Sequence, residues 1–378
     1  MSNTFITPSM VARDAAITID DRLVVGNLVN RDKQAVFTGS KVGDTVKVTV
    51  PPAISDASEF TGTTSAGDVA EKSVDLTLEK HFYKRIDLTT KQKSLELSDF
   101  TRLVSVPAIQ GIADSIDKYI TRKMQVFRAN LTGTVGNRPS TLAHIVAATQ
   151  KLNDLKLIRS GRVALIDSTV ESSFMQLPAF ISLDHGPDAA GNIREGMLGR
   201  RYGFNFSPDT NLGAFSRSAA ANDLLPQPGI LTDGAVTAGS NIVHIDTITS
   251  ATGTIYAGTV FTLAGDTTRY VVAKDATIAN NETDLEVYPA VAAGANDGVA
   301  VTFEAAGFSN LVYHPNAISA AIVAPAPLNN NSSVQTFNGV SIRVSMDSSI
   351  TTLADSIVYD VFVGARVVEP NGGALFCG

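Results

Sequence analysis

The chain has 378 residues, 44% of them apolar and 18% charged, with a formal net charge of −7. That composition excludes a disordered chain, and no uninterrupted apolar run approaches the ~20 residues that a membrane-spanning helix needs. At ~100–200 residues per domain, the length predicts two or three packed units.

A single cysteine, Cys377, excludes an internal disulfide and a cysteine zinc site, and it fits a reducing cytosol. The N-terminus lacks the charged start and apolar centre of a secretory signal, because Arg13 is the first basic residue and Asp14, Asp20 and Asp21 interrupt the stretch after it. A soluble protein is therefore expected. Charge is unevenly spread. Residues 1–228 hold 26 basic and 24 acidic side chains, and residues 305–378 hold 2 and 4. The stretch 229–304 holds only Arg269 and Lys274 against 9 acids, and so carries −7 by itself. Such a segment repels phosphate backbones, and it reads as a solvated surface module.

In chain order, Thr7 and Pro8 open a helix over 7–29, with Met10, Ile17, Val24 and Leu28 at helical spacing. Its apolar positions are sparse, so it reads as an arm that needs another surface. Val46, Val48 and Val50 alternate with polar residues, and a second alternation runs through Val74, Leu76, Leu78, Phe82, Ile86 and Leu88. A polar connection from Pro51 to Gly67 joins these two strands. As one strand the second would span roughly 50 Å, which predicts a projecting hairpin whose apolar face is covered by a neighbouring molecule.

Residues 107–131 predict the clearest helix. Ile109, Ile112, Ile116, Tyr119, Ile120, Met124, Phe127 and Leu131 share a face, with Asp114, Asp117, Arg122, Lys123 and Arg128 mostly opposite. A second helix is expected over 140–158, capped by Ser140. A short strand comes next at Arg162 to Ile166, then a helix over 168–177 and a glycine-rich loop over 186–203. Five β-rich runs, Ile242 to Ile248, Thr259 to Leu263, Tyr270 to Ala273, Leu285 to Tyr288 and Val299 to Phe303, predict a compact barrel or sandwich inserted into another domain. A helix is expected over 309–324, and strands at Val340 to Val344 and Ile357 to Val368.

Motifs for chemistry are absent. There is no GxxxxGK[ST] or GxSxG, and Gly196, Gly199 and Gly203 lack dinucleotide-binding context and read as turns. The histidines His81, His144, His185, His244 and His314 show no ligand spacing. Asp184 and His185 are the best hydrolase pair present, but adjacent residues beside Gly186 and Pro187 read as a turn. Cys377 is expected on a frayed end, with no base beside it. Arg194, Arg200 and Arg201 form a basic loop read as an inter-subunit salt-bridge site rather than a nucleic-acid reader. No catalytic, cofactor-binding or metal residues are assigned, and no enzyme is expected.

The order of parts carries a resemblance. TPSMVARDAAITIDDRLVVGNLVNRD, GSKVGDTVKVTVPP before a hairpin, a long helix, GMLGRRYGFNF and the terminal IVYDVFVGARVVEP together resemble the major capsid proteins of tailed double-stranded DNA phages. The resemblance implies an α+β, Hong Kong-97-like fold. In that fold 1–33 is the N-terminal arm, 34–90 an extended loop (a long β-hairpin), 91–138 a peripheral domain with the spine helix, and 139–228 and 305–345 the apical domain. Residues 229–304 are then an acidic β-barrel insertion and 346–378 the C-terminal strands of the peripheral domain.

It further implies self-assembly through hexamers and pentamers into an icosahedral shell in the host cytoplasm, enclosing double-stranded DNA without reading it. Scaffolding and portal proteins are implied partners, a decoration protein is a further one, and no membrane is involved. Glu59, Phe60, Phe82, Arg85, Arg194, Arg200 and Arg201 are the expected subunit-interface residues. Cross-linking through a loop lysine is not expected, since Asp56 to Val69 contains none. A tail or decoration protein is the competing structural reading, and a hydrolase at Asp184 and His185 the competing enzymatic one.

Overall fold

The computed structural model describes residues 8–39, 45–50, 72–89, 105–181, 196, 198–212, 215, 229–249, 252–328, 331–349 and 354–378. These divide into two units. The first draws on Met1–Arg22, Asn30–Ala113 and Ser319–Glu369, and the second on Leu23–Val29, Asp114–Ile318 and Pro370–Gly378. The boundary expected after residue 345 falls inside the Val340–Ser349 strand, and Pro370–Gly378 groups with the second unit rather than with the strands before it.

In the first unit, the 14-residue strand Ala354–Val367 pairs antiparallel with Val340–Ser349 on one side and with Lys80–Thr89 on the other. Ile318–Val323 and Ser332–Phe337 complete the five strands. Period-two alternation sorts the faces: Val340, Ile342, Val344, Tyr359 and Val361 are buried, while Arg343, Ser345, Ser356 and Val358 alternate with them. The arm helix Pro8–Arg22 packs on Ser332–Phe337 and Val340–Ser349. It buries Val11, Ala12, Ala15, Ala16 and Ile19, of which the three alanines permit close approach, and leaves Met10 exposed. The arm thus finds its surface within its own chain, through a stripe that the spacing of the larger apolar residues does not mark.

The hairpin also differs from expectation. The second strand breaks at Leu78 and Glu79 into Lys72–Thr77, paired with Thr45–Val50, and Lys80–Thr89, paired with the long C-terminal strand. Val48 and Leu76 bury against Ala321 and Val323, with Phe37 and Val368 packed around them, so this apolar face is completed within the chain. At Gly364 a Cβ would stand 2.3 Å from the Thr77 carbonyl oxygen, so only glycine permits the crossing there. The tip of the hairpin lies outside the described residues.

The predicted long helix is α-helical over Val106–Met124 and tightens to a 3-10 turn over Gln125–Ala129; Leu131 opens a short strand. Asp117 and Arg128, expected on its polar face, are buried. In the second unit six strands run in the order Leu131–Thr132, Gly373–Phe376, Leu311–Tyr313, Arg162–Ile166, Phe204–Pro208, Arg200–Arg201. The helices Leu142–Asp154 and Ser168–Met175 join their core through Ile145, Leu152, Val170 and Phe174. Thr141, not Ser140, caps the first of these, in a reciprocal box with His144. The expected 309–324 helix is instead a strand, a 3-10 turn begun by Pro315, and the strand Ile318–Val323. Both strands are buried at every position, and an unbroken apolar run carries no period that separates strand from helix. Cys377 is likewise not frayed, because its N–H donates to the Thr132 carbonyl and its side chain is buried.

Residues 229–304 form a closed barrel. Six strands run in the order Val301–Phe303, Val260–Leu263, Tyr270–Val272, Thr283–Tyr288, Ile242–Asp246, Leu231–Thr232, and the Leu231–Ala300 bridge joins the two edges. Closure removes exposed strand edges, and the interior fills with Ile230, Val243, Ile245, Phe261, Tyr270, Leu285 and Phe303. The short pair Thr252–Ile255 and Ala276–Ala279 is an addition to the five expected runs.

The barrel is fastened to the end of the long helix. Arg122 lies 3.7 Å from the Tyr256 ring centre and 2.8 Å from Asp275, and Arg269 Nη1 donates to the Ala129 carbonyl at 3.5 Å. A Cβ on Gly258 would stand 2.3 Å from the Gln125 Cβ. Gly258 and Gly265 both have positive φ, +91° and +89°, but nothing approaches Gly265. Gly265→Ala is therefore expected to cost about 1–2 kcal/mol from the backbone alone, and Gly258→Ala a further ~1–3 kcal/mol of overpacking. Urea unfolding of the two variants checks the difference.

Candidate subunit interface and buried polar clusters

The polar side of the first unit's sheet carries two clusters built by strand register. Asp360, 2% exposed, accepts from Arg343 Nε at 2.9 Å and from Arg343 Nη2, and lies 2.9 Å from His81 Nε2. Because Asp360 pairs with Arg343 on one side and with Tyr83 on the other, three strands converge on one carboxylate. Further along the Lys80–Thr89 strand, exposed Arg85 reaches Asp87 at 2.8 Å and the Ser356 hydroxyl at 3.0 Å. The Ser356 hydroxyl and the Arg85 guanidinium hold Asp87 below the usual carboxylate range. Arg85 also borders an open groove of about 870 Å³ with Leu328, Ser332, Met346, Ser356 and Val358.

Of the expected interface residues, Phe82 and Arg85 lie three apart on this strand, so they point to opposite faces; Phe82 is half-buried and Arg85 exposed. Arg200 and Arg201 form an edge strand of the second unit paired with Phe204–Pro208. Arg200 is exposed, whereas half-buried Arg201 lies 6.0 Å from the Phe180 ring centre. Glu59, Phe60 and Arg194 lie outside the described residues, as do Asp184 and His185. Gly196, Gly199 and Gly203 take positive φ, as turns require.

No group of three or more His, Cys, Asp or Glu side chains among the described residues is placed to hold a metal ion. His314 caps a 3-10 turn through the Asn316 N–H, and His244 pairs with Asp284. An open groove of about 630 Å³ on the barrel gathers Asp233, Asp275, Glu282, Asp284 and Glu286 around His244 and Lys274. Burial pushes the Cys377 thiol up, which makes it less nucleophilic. Among the described residues, no helix is long and apolar enough to cross a membrane.

Sequence reasoning missed the second unit's buried carboxylates. Asp117 accepts the Val24 N–H at 2.8 Å and the Gly26 N–H at 2.9 Å, and Asp209 lies close enough to raise it electrostatically. Helical spacing places Asp117 with the exposed charges. The signal that could have found it is its position one residue from Ile116 in a helix whose apolar arc is wide.

Two solved structures share this architecture along nearly the whole chain. One is described as Mycobacterium phage Che8, with a TM-score of 0.50 and 16% identity, covering 93% of this chain and 90% of that one. The other is the capsid of the cyanophage P-SCSP1u, with a TM-score of 0.50 and 11% identity, covering 99% of this chain and 89% of that one. The chain has the Hong Kong-97-like capsid fold. No protein-family model and no curated protein matches the sequence. Within this capsid fold the Asp360 carboxylate is buried, whereas Arg85 and Arg200 present charge to the surface.

That contrast sets two magnitudes. Asp360→Ala leaves Arg343 half-buried without its carboxylate and is expected to cost about 3–5 kcal/mol. Arg85→Ala removes an exposed pair worth about 0–1 kcal/mol. Guanidinium unfolding of the two variants side by side measures both.

Proposed function

We propose that the protein is a major capsid protein whose copies assemble through hexamers and pentamers into an icosahedral shell around double-stranded DNA. The observation that carries this reading is that one capsid fold accounts for 99% of the chain. A closed shell needs many copies with repeated, self-complementary contacts, and it needs no catalytic centre.

In this reading 1–33 is the arm, 34–90 the extended loop, 91–138 the peripheral domain with its spine helix, and 229–304 the insertion. The surface arginines Arg85 and Arg200, with Arg194 and Arg201 and the loop residues Glu59, Phe60 and Phe82, contribute to contacts between copies. Scaffolding and portal proteins act in assembly, and the acidic barrel faces solvent or a decoration protein. The DNA is enclosed rather than read, in keeping with a net charge of −7. The particle forms in the host cytoplasm, and the protein resides in the virion shell.

The reading is tested by expressing the chain, with a scaffolding protein where one is known, and imaging the product by electron microscopy. Closed shells are expected; monomers or open tubes under every condition would overturn it. Arg85→Glu is expected to lower the assembled fraction in sedimentation at least several-fold while moving the subunit's unfolding midpoint little, since the reversed charge sits at an exposed position.

A further inference from the structure

Asp117 lies on the Val106–Met124 helix, is 1% exposed, and forms no ion pair among the described residues. Its Oδ2 accepts the Val24 N–H at 2.8 Å and its Oδ1 the Gly26 N–H at 2.9 Å. The segment it holds, Leu23–Val29, is apolar apart from Asn27, carries no titratable side chain, and buries Leu23, Val25, Gly26 and Val29. The chain on both sides of that segment belongs to the first unit, whereas Leu23–Val29 and Asp117 belong to the second.

A second carboxylate faces Asp117. Asp209 is 3% exposed; its Oδ1 accepts the Asn211 N–H at 2.8 Å, and its Oδ2 is buried without a hydrogen-bond partner among the described residues. The hydroxyl of fully buried Tyr313 also has no hydrogen-bond partner among the described residues, and the charges of Asp117 and Asp209 both act on it. Asp114 and Lys118, on the same helix as Asp117, act on Asp209 with opposite signs. The cluster therefore holds two buried acids, and the backbone amides of one short segment supply most of what would balance an ionised Asp117.

We propose that Asp117 is a proton-operated latch on the Leu23–Val29 segment. Neutral, it leaves the segment buried; ionised beside Asp209, it favours states in which the segment lifts and the carboxylate meets water. Burial, reinforced by the Asp209 charge and opposed by the backbone amides, pushes Asp117 up to about 7. Linkage sets the sign. An acid whose folded value lies above its unfolded value of ~3.9 holds more protons when closed, so the closed state is fully favoured in acid and loses ground as pH rises toward the folded value.

Hydrogen exchange of the full-length chain at the 23–29 amides, corrected for intrinsic rates, tests the latch. The opening constant is expected to rise by up to about tenfold per pH unit between about pH 5 and 7 and to level off above. Asp117→Asn is expected to abolish that rise. Asp209→Asn is expected to keep it while moving the levelling-off to lower pH. A flat wild-type profile, or a rise that survives Asp117→Asn, overturns the proposal. Should Asp117→Asn fail to fold, the Asp209→Asn profile decides: a lowered levelling-off supports the latch, and an unmoved one overturns it.

Discussion

The first unit depends on the backbone hydrogen bonding of one strand. Ala354–Val367 pairs from Ala354 to Val363 with Lys80–Thr89, and from Ala354 to Asp360 with Val340–Ser349. An unpaired backbone N–H or C=O inside a protein costs about as much as a lost hydrogen bond, so a buried strand of this length must be flanked on both sides. One flank is its neighbour in sequence, and the other comes from the distant N-terminal part of the chain. The second strand of the hairpin accordingly breaks at Leu78 and Glu79: Lys72–Thr77 stays paired with Thr45–Val50 and buries Leu76 with Ala321 and Val323, while Lys80–Thr89 supplies the flank. The two-stranded ribbon of Thr45–Val50 and Lys72–Thr77, marginal by itself in water, remains a separate sheet packed on this core, while Lys80–Thr89 joins the five-stranded sheet.

Buried charge is handled in two contrasting ways. Asp360 is satisfied by a guanidinium fork and an imidazole from adjacent strands, so its charge is stabilised where it lies. Asp117 accepts from backbone amides and lies near a second acid, and burial drives it toward neutrality at ordinary pH. The first arrangement ties three strands together through one carboxylate. The second makes the burial of one short segment conditional on a proton.

The barrel inserted at 229–304 solves a different problem. It concentrates the net negative charge of the chain on a small domain, and a bridge between Leu231 and Ala300 joins the two edges of its six-stranded sheet. Charge on its surface keeps it solvated, while Arg122, Gly258 and Arg269 lock its base to the helix end at contact distance. A domain inserted by two covalent connections is thereby also held by packing.

Much of this was legible in the amino-acid order. The alternation at Val46 to Val50, the long helix, the strand Arg162–Ile166 and the change of character at 229 are local patterns, and local patterns survive without knowledge of partners. The alanine face of the arm helix, the strands at 311–323 and the burial of Asp117 were not legible. Small side chains, unbroken apolar runs and lone acids take their meaning from what they meet, and Ala15, Val312 and Asp117 meet residues distant in the chain. The sequence by itself determined the kind of protein, an α+β chain with an inserted acidic β-module. Only the tertiary structure decided which faces are completed within one chain, because burial depends on contacts between residues far apart in the sequence.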